Sequence, residues 1–344
     1  MHTFTSVVRR CTSLSQRGRY VSVRVVRPLS TRSMHQDSPR VLSIQSHVVH
    51  GHAGNKSAVF PLQLLGFDVD PINSVQFSNH TGYPTFKGKV MNGQELWELI
   101  EGLQANDLLE YTHLLTGYIA SVSFLETVVK VVKTLRDKNP DLVYICDPVM
   151  GDDERLYVSE DLVPAYRDQM VPLATVLTPN QYEAGLLTDT KIDSKASAVA
   201  ACQALHQRGV ATVVITSIRL AELKGELLLV ASTQAKQKAG CPTRIQVNIP
   251  MLDAYFTGTG DLLTALLLAR LHTDPDNMQH AVEQAVASLQ AVLLASAEAS
   301  GEAAHSKERT AQVFKQRELR LVQNQHLLIS PPVKLKAKRL DAEL

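Results

Sequence analysis

The sequence predicts an α/β fold with a mostly parallel central sheet and helices on both faces. Short apolar runs alternate along the chain with amphipathic helical patterns, and many of these runs are apolar at every position. Strands that are apolar on both sides are typical of a parallel sheet covered by helices on both faces. A chain of 344 residues, 44% of them hydrophobic, is long enough to build the core that such a fold needs.

The predicted elements follow this alternation from residue 40 onward. Apolar runs predict strands at residues 41–46, 112–118, 142–148, 174–180 and 211–217. Periodicity with start and stop signals predicts helices at residues 55–66, 93–104, 121–140 and 194–209. Residues 225–232 and 244–249 read as a late antiparallel addition, and a long helix is predicted to start at Asp261. Residues 317–329 could add one more helix and one more strand.

Three segments are expected along the chain. Residues 1–38 hold seven arginines, many Ser and Thr residues and no acid before Asp37, which is typical of an organelle transit peptide. Mitochondrial import is favoured over plastid import; a disordered basic tail is the alternative, and initiation at Met34 would give a cytoplasmic form. Residues 39–330 have no linker and predict one domain, and residues 331–344 predict a loose charged tail.

Composition excludes several classes of protein. The net charge of +1 gives no electrostatic reason to expect a nucleic-acid partner. No apolar run reaches the roughly 18 residues of a membrane span, so no membrane partner is expected. The four cysteines are scattered without a C-x-x-C pair, which favours reduced thiols and excludes a zinc framework.

The predicted strands all end in polar residues. Ser46, Tyr118, Asp147, Asn180, Thr216 and Ser217 stand at or next to the ends of five successive strands. Ligands of open α/β sheets bind beyond the carboxyl ends of the strands, so these side chains predict a shared polar cleft. Ordinary loop polarity is the alternative explanation.

The segment DAYFTGTGDLLTALLLARL contains the clearest candidate for chemistry. Gly258, Thr259 and Gly260 precede Asp261, where the apolar helix is predicted to begin. A glycine turn at a helix start exposes amides that bind phosphate, and a carboxylate beside it can act as a base on an attacking hydroxyl. A simple preference of Asp for the first helical turn is the alternative.

Three other patterns are weaker candidates for sites. GHAGNKS, residues 51–57, lacks the spacing of a phosphate-binding P-loop and also fails the dinucleotide-binding pattern. His47, His50 and His52 could ligate a metal, but loop histidines near a cleft fit better because no cysteine or acid completes the set nearby. Asp147, Asp152 and Glu183 follow three strand ends and could hold magnesium, with helix-start acids as the alternative.

Several ordered motifs resemble pyridoxal kinases of the ribokinase-like superfamily. They include VLSIQSHVVHGHAGNKSAVFPLQLLGFDVDPINSVQFSNHTGYPTFKG, HLLTGY, LVYICDPVMGD, VLTPNQYEAGLLT, VVITS and FTGTGDLLTALLLA. The resemblance spans about residues 40–300, with a fainter match at RELRLVQNQ. It implies ATP-dependent phosphorylation of the 5′-hydroxymethyl group of pyridoxal, pyridoxine or pyridoxamine.

The resemblance also implies roles for individual residues. Asp261 would be the catalytic base, and Gly258, Thr259 and Gly260 would form the anion hole. The vitamin would be bound by residues that line a pyridine-sized site, namely Ser46, Val49, Phe77, His80, Thr81, Tyr118, Tyr157 and Asp261. ATP and metal contacts would come from the residues Asp147, Asp152, Asn180, Glu183, Thr216, Ser217, Thr257, Gly258 and Gly260, with Asp147, Asp152 and Glu183 on the metal.

The resemblance implies Mg²⁺ or another divalent cation such as Zn²⁺, a monovalent cation, usually K⁺, and a homodimer. The chain departs from the animal-type pattern in a short, charged lid segment from Asp152 to Tyr157, and in Phe86 and Ala120, where tryptophan and arginine are common. Two alternatives stay open: a hydroxymethylpyrimidine or sugar kinase of the same fold, and a non-catalytic protein that binds pyridoxal phosphate or ATP. The vitamer preference is left open.

Overall fold

A ten-stranded sheet organises the molecule in the computed structural model, which describes residues 38–340. The strands are β1 (Arg40–Val48), β2 (Asp68–Phe77), β3 (Gly88–Val90), β4 (His113–Thr116), β5 (Val143–Cys146), β6 (Gly151–Asp152), β7 (Arg155–Leu156), β8 (Val176–Leu177), β9 (Thr212–Ile218), β10 (Glu226–Thr233), β11 (Arg244–Pro250) and β12 (Lys338–Arg339). The sheet order is β12-β11-β10-β9-β8-β5-β4-β1-β2-β3, while β6 and β7 form a separate hairpin. The central strands from β9 to β2 are parallel, which confirms the predicted fold class.

Ten α-helices are found within residues 38–340. They are α1 (Asn55–Leu64), α2 (Gly93–Ala105), α3 (Val122–Lys138), α4 (Leu162–Ala165), α5 (Gln181–Thr188), α6 (Lys195–Gln207), α7 (Thr259–Thr273), α8 (Met278–Ser300), α9 (Ala311–Gln316) and α10 (Gln325–Ile329). No helix in the described part of the chain is both long and apolar enough to cross a bilayer. The long helix α7 begins two residues before Asp261, so the acid lies in the first turn rather than at the start.

The core has two sides because successive strand residues point to opposite faces of the sheet. On one side, Leu42 and Tyr144 pack in a cluster with side chains of α2, α3, α5 and α6. On the other side, Val41 and Ile145 pack with side chains of α1 and α7, and α8 covers β9 to β11. Both faces are therefore buried, which explains why the strand sequences lack polar alternation.

The prediction missed strand β2, whose sequence DVDPINSVQF contains two acids and a proline. The strand pairs in parallel with β1 over its whole length, whereas β3 pairs only with Val75–Phe77. Pro71 lies where the outer side of β2 has no strand neighbour, so its missing N–H breaks no ladder bond. Partial exposure of this strand removed the apolar signal that marked the others.

The late antiparallel addition is confirmed, since β9, β10 and β11 pair antiparallel in that order. The expected loose tail after residue 330 needs correction, because Lys338 and Arg339 pair with Gln246 and Ile245 of β11. The unpaired polar groups along an edge strand offer such a partner site. Residues 317–329 supply the short helix α10 but no strand. The predicted targeting segment, residues 1–38, lies outside the described residues except for Ser38.

Candidate active site

The polar strand ends predicted from the sequence lie along one edge of the sheet. Strands β1, β4, β5, β8 and β9 are parallel neighbours, so their carboxyl ends point in the same direction. A cavity of about 1440 Å³ opens at this edge. Its lining includes Asp152, Asn180, Thr216, Ser217, Thr259 and Gly260. The ends of β8 and β9 and the β6–β7 hairpin therefore share this cavity with the start of α7, whereas Ser46, Tyr118 and Asp147 are not among its lining residues.

The glycine turn before α7 is fixed by close packing. Gly258 caps the helix with φ 81° and ψ 11°, a left-handed conformation that favours glycine. A Cβ at this position would lie 2.3 Å from the carbonyl oxygen of His52 and 2.6 Å from Ser57 Oγ. The first turn of α7 thus sits directly against the loop that joins β1 to α1.

Asp261 is oriented by that same loop. The Gly54 amide donates a 2.7 Å hydrogen bond to Asp261 Oδ2, although the two residues are 207 positions apart. Gly54 has φ 54°, and a Cβ there would lie 2.0 Å from the carbonyl oxygen of Ser46. Burial raises the pKa of Asp261, and the Gly54 hydrogen bond acts in the opposite direction. One carboxylate oxygen is therefore held by the protein while the other remains available to a ligand.

Two buried carboxylates, Asp147 and Glu183, belong to the same region as Asp261. Burial raises the pKa of Asp147 well above its usual value, and the charges of Glu183 and Asp261 raise it further. A Cβ on Gly260 would lie 3.7 Å from Asp147 Oδ2, so the glycine turn passes next to this acid. Thr264 Oγ1 also donates to Asp147 Oδ2 at 3.4 Å. Each of these acids disfavours the charge of its neighbours, so a bound cation would stabilise their ionised forms.

Glu183 is bound mainly by backbone amides. Its Oε1 accepts from the Met150 amide at 3.0 Å, and its Oε2 accepts from the Asn180 amide at 2.8 Å. The Asn180 side chain accepts in turn from the Glu183 amide, which completes a capping box at the start of α5. Burial raises the pKa of Glu183 to about 8 despite these amide donors. The helix-start explanation therefore holds for Glu183, and it does not exclude a second role toward a metal ion.

The carboxylates Asp147 and Glu183 could hold a divalent cation that shares its ligands with phosphate. Within residues 38–340, no group of three or more His, Cys, Asp or Glu side chains is arranged to hold a metal alone. Mg²⁺ bound through one or two carboxylates, waters and substrate phosphates needs no such group. The same finding disfavours a metal site on His47, His50 and His52. Burial lowers the pKa of His47 and of His52, which favours their neutral forms.

Most of the expected vitamin-side residues lie at or after the ends of β1, β2 and β4, and Ser46 contacts Gly54. Ser46 and Tyr118 are half-buried, and burial raises the pKa of Tyr118. The rings of Phe77 and Phe86 pack with centroids 5.0 Å apart, so Phe86 provides an aromatic surface here. Val49 is 63% exposed at the end of β1. Thr81 is exposed as well. Exposed apolar and aromatic groups near a few polar side chains are compatible with a surface that a flat ligand covers.

Comparison with known proteins identifies the family. A family model described as phosphomethylpyrimidine kinase matches residues 107–306. The pyridoxal kinase of Arabidopsis thaliana is 54% identical over 312 residues, which cover 91% of this chain and 98% of that protein. The pyridoxal kinase of Homo sapiens is 45% identical over 310 residues, which cover 88% of this chain and 99% of that protein. This chain belongs to the pyridoxal kinase family.

Solved structures of the pyridoxal kinase family share the fold described above. The Leishmania donovani enzyme in complex with ADP and pyridoxine has a TM-score of 0.80 and 39% identity, covering 89% of this chain and 100% of that chain. The same enzyme in complex with ADP and pyridoxamine has a TM-score of 0.79. The resemblance stated from the sequence motifs is thereby confirmed.

The short lid segment in this pyridoxal kinase family member is a tight hairpin. Strands β6 and β7 are joined by Asp153 and Glu154, which have φ values of 47° and 60°. Two consecutive residues with positive φ form the type of turn that suits a two-residue hairpin but favours Asn and Gly. Asp152 lies on this hairpin, and Tyr157 directly after it is 58% exposed. The segment expected to form the lid is therefore short because its turn has only two residues.

Sequence reasoning missed two residues of this site. Gly54 belongs to the segment set aside as a failed P-loop, yet its amide contacts Asp261. Glu318 belongs to the faint RELRLVQNQ match, and its carboxylate accepts from the His52 amide at 2.9 Å. A glycine between a strand and a helix could have flagged Gly54. Nothing local in the sequence marks Glu318.

Proposed function

We infer that this chain transfers the γ-phosphoryl group of ATP to the 5′-hydroxyl of pyridoxal, pyridoxine and pyridoxamine. The single observation that carries this inference is the half-buried Asp261 carboxylate, held by the Gly54 amide in the first turn of α7 beside a glycine turn. The Leishmania donovani relative, which binds ADP with pyridoxine or pyridoxamine, supports the assignment of both substrates.

We propose that Asp261 acts as the general base. The vitamin hydroxyl oxygen forms a bond to the γ-phosphorus, the bond from that phosphorus to the bridging oxygen breaks, and ADP leaves with the electron pair. The hydroxyl proton passes to the free carboxylate oxygen of Asp261. Burial raises the pKa of this group, which makes it a better proton acceptor than an exposed aspartate.

The turn before α7 suits charge stabilisation during the transfer. We assign the amides of Gly258, Thr259 and Gly260 to the transferring phosphoryl group, with Thr257 at the edge of the same turn. Amides that are fixed before the reaction need no reorganisation as charge develops, and a helix start adds a favourable dipole. The absence of a Cβ on Gly258 lets this backbone lie against the His52 carbonyl.

The nucleotide is assigned to the large cavity at the strand ends. The proposed contacts are Asp147, Asp152, Asn180, Glu183, Thr216 and Ser217. A bound Mg²⁺ would be held by Asp147 and the phosphates, with Asp152 and Glu183 acting nearby, and it would neutralise charge on the phosphates. A monovalent cation, K⁺ first, is proposed from the family resemblance, and replacing K⁺ by Na⁺ in the turnover assay tests it.

The vitamin is assigned to the region beside the end of β1. Ser46 and Tyr118 would contact the polar edges of the pyridine, while Val49 and Phe77 would contact its face. Thr81 and Tyr157 would close the site from two loops, and the buried His80 directly precedes Thr81 in the chain. Closure by the β6–β7 hairpin would keep water away from the phosphoryl group.

A pyrimidine kinase is the second candidate, because the matching family model carries that description. The match covers residues 107–306 and therefore leaves out Ser46, Phe77 and Thr81. The pyridoxal kinase relatives cover that part of the chain as well. Turnover measured on pyridoxal, hydroxymethylpyrimidine and ribose distinguishes the candidates, and equal or faster turnover on either of the last two would overturn the assignment.

Asp261→Ala tests the mechanism. Turnover on pyridoxal should fall by roughly 10²–10⁴-fold, the usual cost of losing a general base, while ATP binding measured by calorimetry stays within a few-fold. Glu95→Ala is the matched control, because Glu95 is also an acid in the first turn of a helix, α2, and lies outside the site. If both variants lose the same small fraction of turnover, Asp261 only supports its helix, and a non-catalytic binding protein becomes the better description.

Assembly and location are further proposals. We propose a homodimer from the family resemblance, and light scattering of the purified protein tests it. We also propose that residues 1–38 direct import into an organelle, mitochondria first, and that synthesis from Met34 leaves the protein in the cytoplasm. Both locations are compatible with the same catalytic domain.

A further inference from the structure

Glu318 is a buried acid of this site to which no role has yet been assigned. It lies between α9 and α10 and is 7% exposed. Its Oε2 accepts from the His52 amide at 2.9 Å, and its Oε1 accepts from the Tyr83 hydroxyl at 3.0 Å. His80 Nε2 lies 3.5 Å from the same Oε1. One carboxylate thus joins the loop after β1 to the loop after β2.

The His52 peptide is held from two sides. Its N–H donates to Glu318, and its carbonyl oxygen is the atom that a Cβ on Gly258 would approach to 2.3 Å. Two residues later, the Gly54 amide donates to Asp261. A shift of the His52 peptide would therefore move both the support behind the glycine turn and the donor that orients the base.

A second route from Glu318 reaches the same turn through His80. The Gly82 amide donates to His80 Nδ1 at 3.1 Å, so the ring proton belongs on Nε2, facing Glu318. Thr257 Oγ1 lies 3.4 Å from His80 Nδ1, and Thr257 immediately precedes Gly258. His80 is 7% exposed and packs edge-on against Phe314, which restricts its ring.

The space for this carboxylate is closely defined. A Cβ on Gly51 would lie 2.2 Å from Glu318 Oε1, so a larger residue at position 51 would collide with the carboxylate. Burial acts to raise the pKa of Glu318, but hydrogen bonds from His80, the His52 amide and Tyr83 lower it below its usual value. The group is therefore ionised at neutral pH and accepts from all of its neighbours.

We propose that Glu318 is a positioning residue for phosphoryl transfer, holding the His52 peptide and, through His80, Thr257, so that the glycine turn and Asp261 keep their relative placement. The proposal rests on the pyridoxal kinase activity proposed above. It predicts that loss of Glu318 lowers turnover with little effect on nucleotide affinity, because most of the nucleotide cavity is built from other loops.

The test compares Glu318→Ala and Glu318→Gln with Glu283→Ala in the full-length chain. Glu283 on α8 is a matched control, because it is 6% exposed and its carboxylate accepts hydrogen bonds from Gln279, Lys336 and the Ala337 amide. These bonds attach the C-terminal segment to α8. Thermal midpoint, kcat, and KM for ATP and for pyridoxal are measured for each. Tyr83→Phe, which removes one donor and leaves the carboxylate, provides a further variant that should fold.

Glu318→Ala should lower kcat by roughly 10-fold to 100-fold, since a displacement of about 1 Å in a catalytic group costs on that order. The KM for ATP should stay within about 3-fold, and Glu283→Ala should leave kcat within about 2-fold at a comparable loss of thermal midpoint. Glu318→Gln keeps an acceptor for the His52 amide and should recover most of the turnover. Tyr83→Phe keeps the carboxylate with its contacts to the His52 amide and His80, so its kcat should stay within about 2-fold of wild type, and a loss equal to that of Glu318→Ala would overturn the proposal.

Equal loss of kcat in the Glu318 and Glu283 variants would overturn the proposal, as would a Glu318→Gln variant no better than Glu318→Ala. If Glu318→Ala does not fold, Glu318→Asp takes its place, because it keeps the charge but withdraws the carboxylate from the His52 amide; a lower kcat with an unchanged KM for ATP then supports the proposal. Wild-type kcat in Glu318→Asp, or a raised KM for ATP, overturns it. Wild-type protein that lacks turnover on pyridoxal would instead refute the proposed function.

Discussion

Gly258→Ala should separate the role of the glycine turn from general stability. Gly258 has φ 81°, and left-handed backbone at a non-glycine residue costs roughly 1–2 kcal/mol. In addition, the new Cβ would lie 2.3 Å from the His52 carbonyl oxygen and 2.6 Å from Ser57 Oγ. To restore an ordinary contact near 3.4 Å, the turn has to move by roughly 1 Å away from both atoms.

That movement determines the expected magnitude. A misplacement of about 1 Å in a catalytic group costs on the order of 100-fold in rate. A 100-fold loss of kcat corresponds to about 2.7 kcal/mol in the activation free energy. The loss should appear in kcat, because the turn is assigned to the transferring phosphoryl group rather than to the adenosine part of ATP.

Gly240→Ala is the matched control. Gly240 has φ 85°, and nothing lies within 4 Å of the position that a Cβ would occupy, so its substitution carries the backbone strain without the collision. Both variants are assayed for ATP-dependent phosphorylation of pyridoxal and for thermal unfolding. Gly240→Ala should lose roughly 1–2 kcal/mol of stability and keep kcat within about 2-fold. If Gly258→Ala also stays within about 3-fold of wild type, the packing of the turn against His52 does not control turnover.

Three further predictions concern pH, the lid and targeting. Burial raises the pKa of Glu183 from 4.5 to about 8, so the folded state binds this proton more tightly than the unfolded state does. The free energy of unfolding should therefore fall as the pH rises from 4.5 to about 8. Calorimetric unfolding at several pH values checks this, and Glu183→Gln should weaken the pH dependence. Glu154 adopts φ 60° in the β6–β7 turn, a left-handed conformation that is strained for a residue with a side chain. Glu154→Gly should therefore raise the free energy of unfolding by about 1 kcal/mol. An unchanged or lower value in chemical denaturation would contradict this. Residues 1–38 fused to a fluorescent protein should direct it to mitochondria. A fusion in which the arginines of that segment are replaced by glutamine should stay in the cytoplasm. Diffuse fluorescence of the unmodified fusion would contradict the prediction.

Much of the fold could be predicted because its signals are local. The apolar run at residues 142–148 marks β5, and Ser121 marks the start of α3, where its hydroxyl accepts from the Phe124 amide. Strand β2 was missed because its outer half is exposed and carries Asp68, Asp70 and Pro71. A strand whose stability comes from pairing with β1 shows little of this in its own composition.

The sequence by itself determined the α/β class, the polar strand ends and the glycine turn before Asp261, because periodicity and turn chemistry depend on neighbouring residues. Only the tertiary structure decided what holds Asp261 and the turn in place. The Gly54–Asp261 bond joins residues 207 positions apart, and the His52–Glu318 bond joins residues 266 positions apart. Such contacts depend on how the sheet and helices pack, and a single donor or acceptor carries no local pattern that reveals its distant partner.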